Sequence, residues 1–200
     1  MLLRPTVTRI TYRAAASRYS TTFLSVRCMS HADMTEDQEF GPHKIHASEL
    51  FARTALSFAF VNLKPVVPGH VLVCSRRVVQ RFTSLRNEEV SDLWCLAQKV
   101  GQVVEPYFGA TSLTFAIQDG VHAGQSVPHV HVHVLPRRPG DFKSNDDVYD
   151  AIDDASKALA GEAEKLDLDM ERRVRTPEEM GQEAAQLRAA FKKQHGASSF

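Results

Sequence analysis

The chain has 200 residues, and its 24 Lys and Arg balance 24 Asp and Glu, so the formal net charge is zero. That balance supplies no field drawing the protein toward nucleic acid or an anionic membrane; neither is expected as a partner, and an anionic substrate has to be held by local groups. Hydrophobic residues, at 43%, suffice for one core, and no apolar run approaches the ~20 residues that span a bilayer.

The first 32 residues stand apart. Arg4, Arg9, Arg13, Arg18 and Arg27 are scattered among Ser, Thr and Ala, and no acid precedes Asp33. An arginine-rich, acid-poor start is the pattern of a mitochondrial transit peptide. The alternative is a disordered extension bypassed by a start at Met29 or Met34. The body of the chain is expected to be cytoplasmic, with mitochondrial targeting assigned to residues 1–32 if the transit reading holds. Cys28, Cys74 and Cys95 are odd in number, and no CxxC pair occurs. They suggest neither a disulfide framework nor a thiolate metal site, and a reducing compartment is the simpler reading.

Further along, Ser57 to Leu63 is short and rich in β-formers, which predicts a strand. The prolines and glycine of 64–69 mark a connection to a second strand, His70 to Cys74, and a hairpin joins the pair economically. Asn87 to Tyr107 predicts a helix: Val90, Leu93, Trp94, Ala97, Val100, Gly101 and Val104 form one stripe. Trp94 is expected in the core. Glu88 and Glu89 suit the first turn, and Pro106 and Gly109 end the helix. Leu113 to Ile117 predicts a third strand, followed by a polar loop to Gln125. His129 to Leu135 predicts a fourth, stopped by Pro136. Residues 143–175 read as a loop region with one short helix from Val148 to Leu159. Thr176, Pro177 and Glu179 are a capping residue, an N1 proline and an N3 acid, and they start a helix whose apolar face is Met180, Ala184, Leu187 and Phe191. Strands joined by short connections, then a terminal helix, argue for an α+β domain with a mainly antiparallel sheet. No GxGxxG and no P-loop is present.

The chemistry concentrates in His129-Val130-His131-Val132-His133-Val134-Leu135. Side chains alternate along a strand, so the three imidazoles share one face, while the valines and Leu135 turn toward the other. Crowded imidazoles repel when protonated and should stay neutral. Two chemistries fit. The histidines could bind a metal such as zinc, or one could act as a nucleophile while its neighbours orient and protonate.

This segment resembles the alternating signature of the histidine-triad superfamily. The likeness runs from about Phe40 to Asp150 and is greatest to its fragile-histidine-triad branch, the bis(5′-adenosyl)-triphosphatases. It is carried by 57–62 (SFAFVN), 64–70 (KPVVPGH), 113–120 (LTFAIQDG) and 136–142 (PRRPGDF). The nucleoside-phosphoramidase branch shares the triad and Gly-Gln-Ser-Val but is less similar around Gln118 and after Pro136.

The resemblance implies three parts: an N-terminal extension over 1–35, a histidine-triad domain over 36–150, and a variable loop with a C-terminal helix over 151–200. It implies a catalytic set of His131, His129, His133 and His70. In that set His131 attacks the α-phosphorus and carries a nucleotidyl intermediate. His129 fixes the ring tautomer, His133 donates to a phosphate or bridging oxygen, and His70 supports them. Gln118 would contact phosphate, and Gly124, Gln125, Ser126 and Val127 would wrap it. Asn62 would meet ribose, the bland alternative being a turn residue at the end of its strand, and His43 would lie near adenosine. The expected activity is hydrolysis of a dinucleoside polyphosphate, preferably diadenosine triphosphate. Alternatives are a phosphoramidase and a slow nucleotide-binding signalling protein. The resemblance also implies a homodimer with joined sheets, and a divalent cation, Mg²⁺ or Mn²⁺, arriving with the substrate. No protein-held metal site and no organic cofactor are expected.

Overall fold

A computed structural model of the chain describes residues 34–159 and 174–196; the candidate transit segment lies outside the described residues. The two apolar runs read as a hairpin form one. β4 (Ser57–Val61) pairs antiparallel with β5 (Val71–Ser75), Ala59 opposite Val73. All ten residues are buried, so the sheet is covered on both faces at this point. Before the hairpin come β1 (Gln38–Phe40), β2 (His43–Ile45) and β3 (Leu50–Arg53). The first two pair only with each other, and β3 joins the main sheet beside β4.

β6 (Ser112–Ala116) and β7 (His131–Arg137) complete a five-stranded sheet in the order β3-β4-β5-β7-β6. Every neighbouring pair is antiparallel. β7 does not stop at Pro136. It pairs with β5 only as far as Val134, and beyond that its partner is β6 alone, with Pro136 opposite Leu113 and Arg137 opposite Ser112. A proline lacks a donor, and it is tolerated in a strand where one side has no ladder to complete.

α1 (Asn87–Tyr107) and α3 (Pro177–His195) cover one face. Val71, Val73, Val130, Val132 and Val134 meet Leu93, Leu96, Ala97, Val100 and Val104 of α1 there, and Met180, Ala184, Leu187 and Phe191 of α3. The start of α3 is as its sequence dictates: the Thr176 side chain accepts from the Glu179 backbone N–H, and the Glu179 side chain answers at Thr176. The Arg175 backbone N–H donates to Leu63 O and its guanidinium pairs with Glu183, which ties this helix to the end of β4.

Two further sequence expectations change. Trp94 is 39% exposed and lies edge-on to Phe115, because the buried stripe of α1 is centred on Leu93, Leu96 and Val100 and leaves Trp94 on its flank. Leu135 does not join the valines. It has the parity of the histidines and packs on their face with Val67, Val148 and Ile152. The last two come from α2 (Asp147–Leu159), which runs across residue 150. No helix among the described residues is long and apolar enough to cross a membrane.

Candidate active site

Cys74 stands opposite His131 and Leu72 opposite His133, so both histidines rise from the sheet face away from α1. That face carries a second cluster of Phe40, Leu50, Phe58, Phe60, Leu72, Cys74 and Val127. The β1–β2 hairpin brings Phe40 over it, with its ring edge-on to His131 at 5.0 Å between centroids and 5.9 Å from His129. His129, His131, His133 and His70 are all buried.

Fixed partners dictate each tautomer. His131 Nδ1–H donates to the His129 carbonyl at 2.7 Å, which leaves the Nε2 lone pair unused. His129 acts on His131 through this backbone oxygen. Its own ring is engaged elsewhere: Nδ1 accepts from the Gly41 N–H at 3.1 Å, and Nε2–H faces Ser75 Oγ at 3.2 Å and Arg77 O at 3.1 Å. A second chain begins at the Val66 N–H, which donates to His70 Nδ1 at 3.2 Å. His70 must therefore carry its proton on Nε2, which lies 3.0 Å from His133 Nδ1. His133 in turn carries its proton on Nε2, and that buried atom has no partner among the described residues. A buried donor without an acceptor is rare enough to need a reason.

Electrostatics agree with neutral rings. Burial lowers the pKa of His131 to about 4, against a smaller upward pull from its bond to His129. Burial also lowers His129 and takes His133 well below its ordinary value, with His131 and His70 adding repulsion. An imidazole that stays unprotonated at neutral pH keeps its lone pair available.

The other predicted residues divide. Gln118 lies two residues past Ala116, which pairs with His133. It is buried, and its Nε2 donates to Asp153 of α2. Gly124 has φ +84, and a Cβ there would lie 2.5 Å from Gln118 Nε2, so only glycine lets this loop approach. Gln125 staples the loop, accepting from the Gly120 N–H and donating to Gln80 O. Ser126 is half-buried, and Val127 is buried beside Phe40. The Asn62 Oδ1 accepts from the Lys64 N–H, and its side-chain amide lies against the His70 ring, where Nδ1 is the atom able to accept, at 3.4 Å. His43 is exposed on β2, its ring 6.5 Å from Phe40. Sequence reading missed Phe40, Ser75, Val66 and Asp153. Phe40, Ser75 and Asp153 act through contacts remote in the chain, and Val66 acts through its backbone N–H on His70 four residues on, so no side-chain pattern marks any of them.

The chain is similar to several known proteins. The HIT domain model matches residues 44–140. A bifunctional bis(5′-adenosyl)-triphosphatase/adenylylsulfatase of Arabidopsis thaliana is 53% identical over 168 residues, 84% of this chain and 92% of that protein. A bis(5′-adenosyl)-triphosphatase of Dictyostelium discoideum is 48% identical over 76% of this chain and 91% of its own length. The crystal structure of a Plasmodium falciparum diadenosine triphosphate hydrolase superposes with a TM-score of 0.62 at 29% identity, covering 80% of this chain and 86% of that one. The chain belongs to the histidine-triad (HIT) family.

Proposed function

We propose that the protein hydrolyses dinucleoside polyphosphates, diadenosine triphosphate foremost, through a nucleotidyl-His131 intermediate. One observation carries this reading: the His129 carbonyl holds His131 Nδ1–H at 2.7 Å, so Nε2 presents a lone pair on a buried, neutral ring. Nε2 attacks the α-phosphorus, forming an N–P bond as the bridging P–O bond breaks. The neutral His133 ring keeps its proton and donates a hydrogen bond from Nε2–H to the bridging oxygen as negative charge builds there. Water then attacks the same phosphorus, its proton passes to solvent, the N–P bond breaks and a nucleoside monophosphate leaves. One difficult displacement becomes two easier ones. The Ser126 hydroxyl and the Gln118 amide are suited to the charge that builds on the other phosphate oxygens.

A divalent cation, Mg²⁺ or Mn²⁺, would come with the polyphosphate and screen its charge. Among the described residues no group of three His, Cys, Asp or Glu is placed to hold a metal ion, which favours a cation carried by phosphate oxygens. A homodimer would suit the exposed outer edge of β6, where Phe115 and Trp94 lie at the surface. The name of the Arabidopsis relative adds a second substrate, adenylyl sulfate. Attack on its α-phosphorus would use the same His131, with sulfate as leaving group.

The test compares wild type with His131→Asn on diadenosine triphosphate, with products separated. Wild type should release AMP and ADP and yield an acid-labile AMP adduct on His131, while the variant binds nucleotide and barely turns over. Equal turnover by both, or turnover by neither, overturns the reading.

A further inference from the structure

We propose that Asp153 is a specificity-determining residue of this site: its carboxylate stands in for phosphate on the Gln118 amide, and α2 is a latch that an incoming polyphosphate displaces. The inference rests on the reading that Gln118 contacts phosphate.

Three groups from separate segments converge here. Gln118 follows the β6 residue that pairs with His133, and its Nε2 donates to Asp153 Oδ1. A Cβ on Gly124 would lie 2.5 Å from that amide nitrogen and 2.8 Å from that carboxylate oxygen, so the backbone of the loop is packed against both. A carboxylate and a phosphate offer the same thing to an amide donor, a charged oxygen acceptor. An anion cannot share this place with Asp153 without repulsion.

Two buried apolar residues accompany Asp153 in holding α2 to this face. The contact is a small apolar cluster in which Val148 and Ile152 meet Val67 and Leu135. Besides Asp153 the helix carries Asp147, Asp150 and Asp154, with a single lysine within its span. A negative helix lying over a polyanion site is a poor neighbour for bound substrate. With the site free of substrate, Asp153 satisfies the Gln118 amide and keeps the loop approach in register. With substrate, the phosphate takes the amide and the helix moves away. Asp153 thereby sets a threshold. Ligands with enough phosphate charge to displace it bind, and those with a single weakly held phosphate bind poorly.

Calorimetric titration with ADP, with and without Mg²⁺, tests this on wild type, Asp153→Asn, Asp153→Ala and Gln118→Ala. Asp153→Asn keeps an acceptor for Gln118 and removes only the charge, so it guards against a folding defect. Both Asp153 variants should bind ADP roughly three- to tenfold more tightly, the effect of deleting one nearby like charge at a part-exposed site. The KM for diadenosine triphosphate should fall in parallel, and Gln118→Ala should weaken binding. Unchanged or weaker ADP binding by Asp153→Asn overturns the proposal. So does weakening seen only with Mg²⁺, which would make Asp153 a cation ligand. If Gln118→Ala binds ADP like wild type, Gln118 is no phosphate contact and the proposal falls with that reading. If ADP binding responds as expected while no form cleaves diadenosine triphosphate, the latch stands and the hydrolase reading alone fails.

Discussion

At the residue scale, two backbone groups decide what the histidines can do. The His129 carbonyl holds the proton of His131 on Nδ1, and the Val66 N–H, acting through His70, places the proton of His133 on Nε2. One ring thus offers a lone pair and its neighbour, 4.9 Å away between centroids, offers a proton. The two roles separate experimentally by leaving group. ADP departing through a bridging oxygen is a stronger base than sulfate, holds more charge on that oxygen and needs the His133 Nε2–H more. In His133→Ala, the first-turnover release of ADP from diadenosine triphosphate should slow by about 10²- to 10³-fold, the usual cost of losing one fixed donor at a developing charge. Release of sulfate from adenylyl sulfate should slow far less. Rapid mixing with product quench reads this first step before water attack, which starts from the same intermediate for both substrates. Equal slowing for the two would mean that His133 acts on His131 or on bound phosphate and not on the leaving oxygen.

At the element scale, legibility followed the range of the cause. Residues 176–195 could be read almost entirely, because a cap, an N1 proline and a 3.6-residue apolar repeat are local. The structure returns the same cap and the same four buried residues. The span of α1 is equally plain, but Trp94 is not in the core: helical periodicity gives the direction of the stripe and not its width, and the buried stripe, centred on Leu93, Leu96, Ala97, Val100 and Val104, leaves Trp94 at its edge. β1 to β3 went unread because three- and four-residue strands leave no periodic trace, so Phe40, which walls His131, had no signal. The triad was visible because alternation in one strand needs no partner to be recognised, whereas the Asp153–Gln118 contact joins residues 35 positions apart. The connection between β4 and β5 shows how a readable turn can carry an unreadable contact. Gly69 marks the turn, but its φ of +81 and the Phe108 ring, which any added Cβ would overlap, both oppose a side chain there. Gly69→Ala should lower stability by about 2–4 kcal/mol, from backbone strain plus overpacking against the end of α1. Urea unfolding monitored by circular dichroism would show it, and a loss below about 0.5 kcal/mol would mean that Phe108 swings clear.

At the scale of the whole molecule, the sheet separates two kinds of interior. One face buries valines against α1 and α3; the other buries four imidazoles among phenylalanines and under α2. Among the described residues no acid is hydrogen-bonded to the rings of His129, His131 or His133, and Glu39 offsets the burial of His129 only in small part, so the arrangement has a cost that depends on pH. Burial lowers the pKa of His129, of His131 to about 4, and of His133 well below the ordinary value. Above about pH 6.5 these rings are neutral both folded and unfolded and do not distinguish the two states. As pH falls from about 6.5 toward 4, the unfolded chain takes up protons that the folded chain refuses, so stability drops. Each such proton contributes a slope of about 1.4 kcal/mol per pH unit, and three acting together approach about 4. Glu89 works lower on the scale. Its bonds to Arg77 and Arg86 hold it at about 2, so the stability it adds above its ordinary value is lost only as pH falls from that value toward 2. Urea midpoints taken at half-unit steps from pH 7.5 to 4.5 should therefore be flat above pH 7 and fall steeply below 6.5. His129→Asn, which removes a titrating ring while retaining polar groups toward Gly41 and Ser75, should flatten part of that slope even where it lowers stability at pH 7.5. A profile with the same slope in both proteins would mean that the acid sensitivity arises in the carboxylate pairs and not on the histidine face.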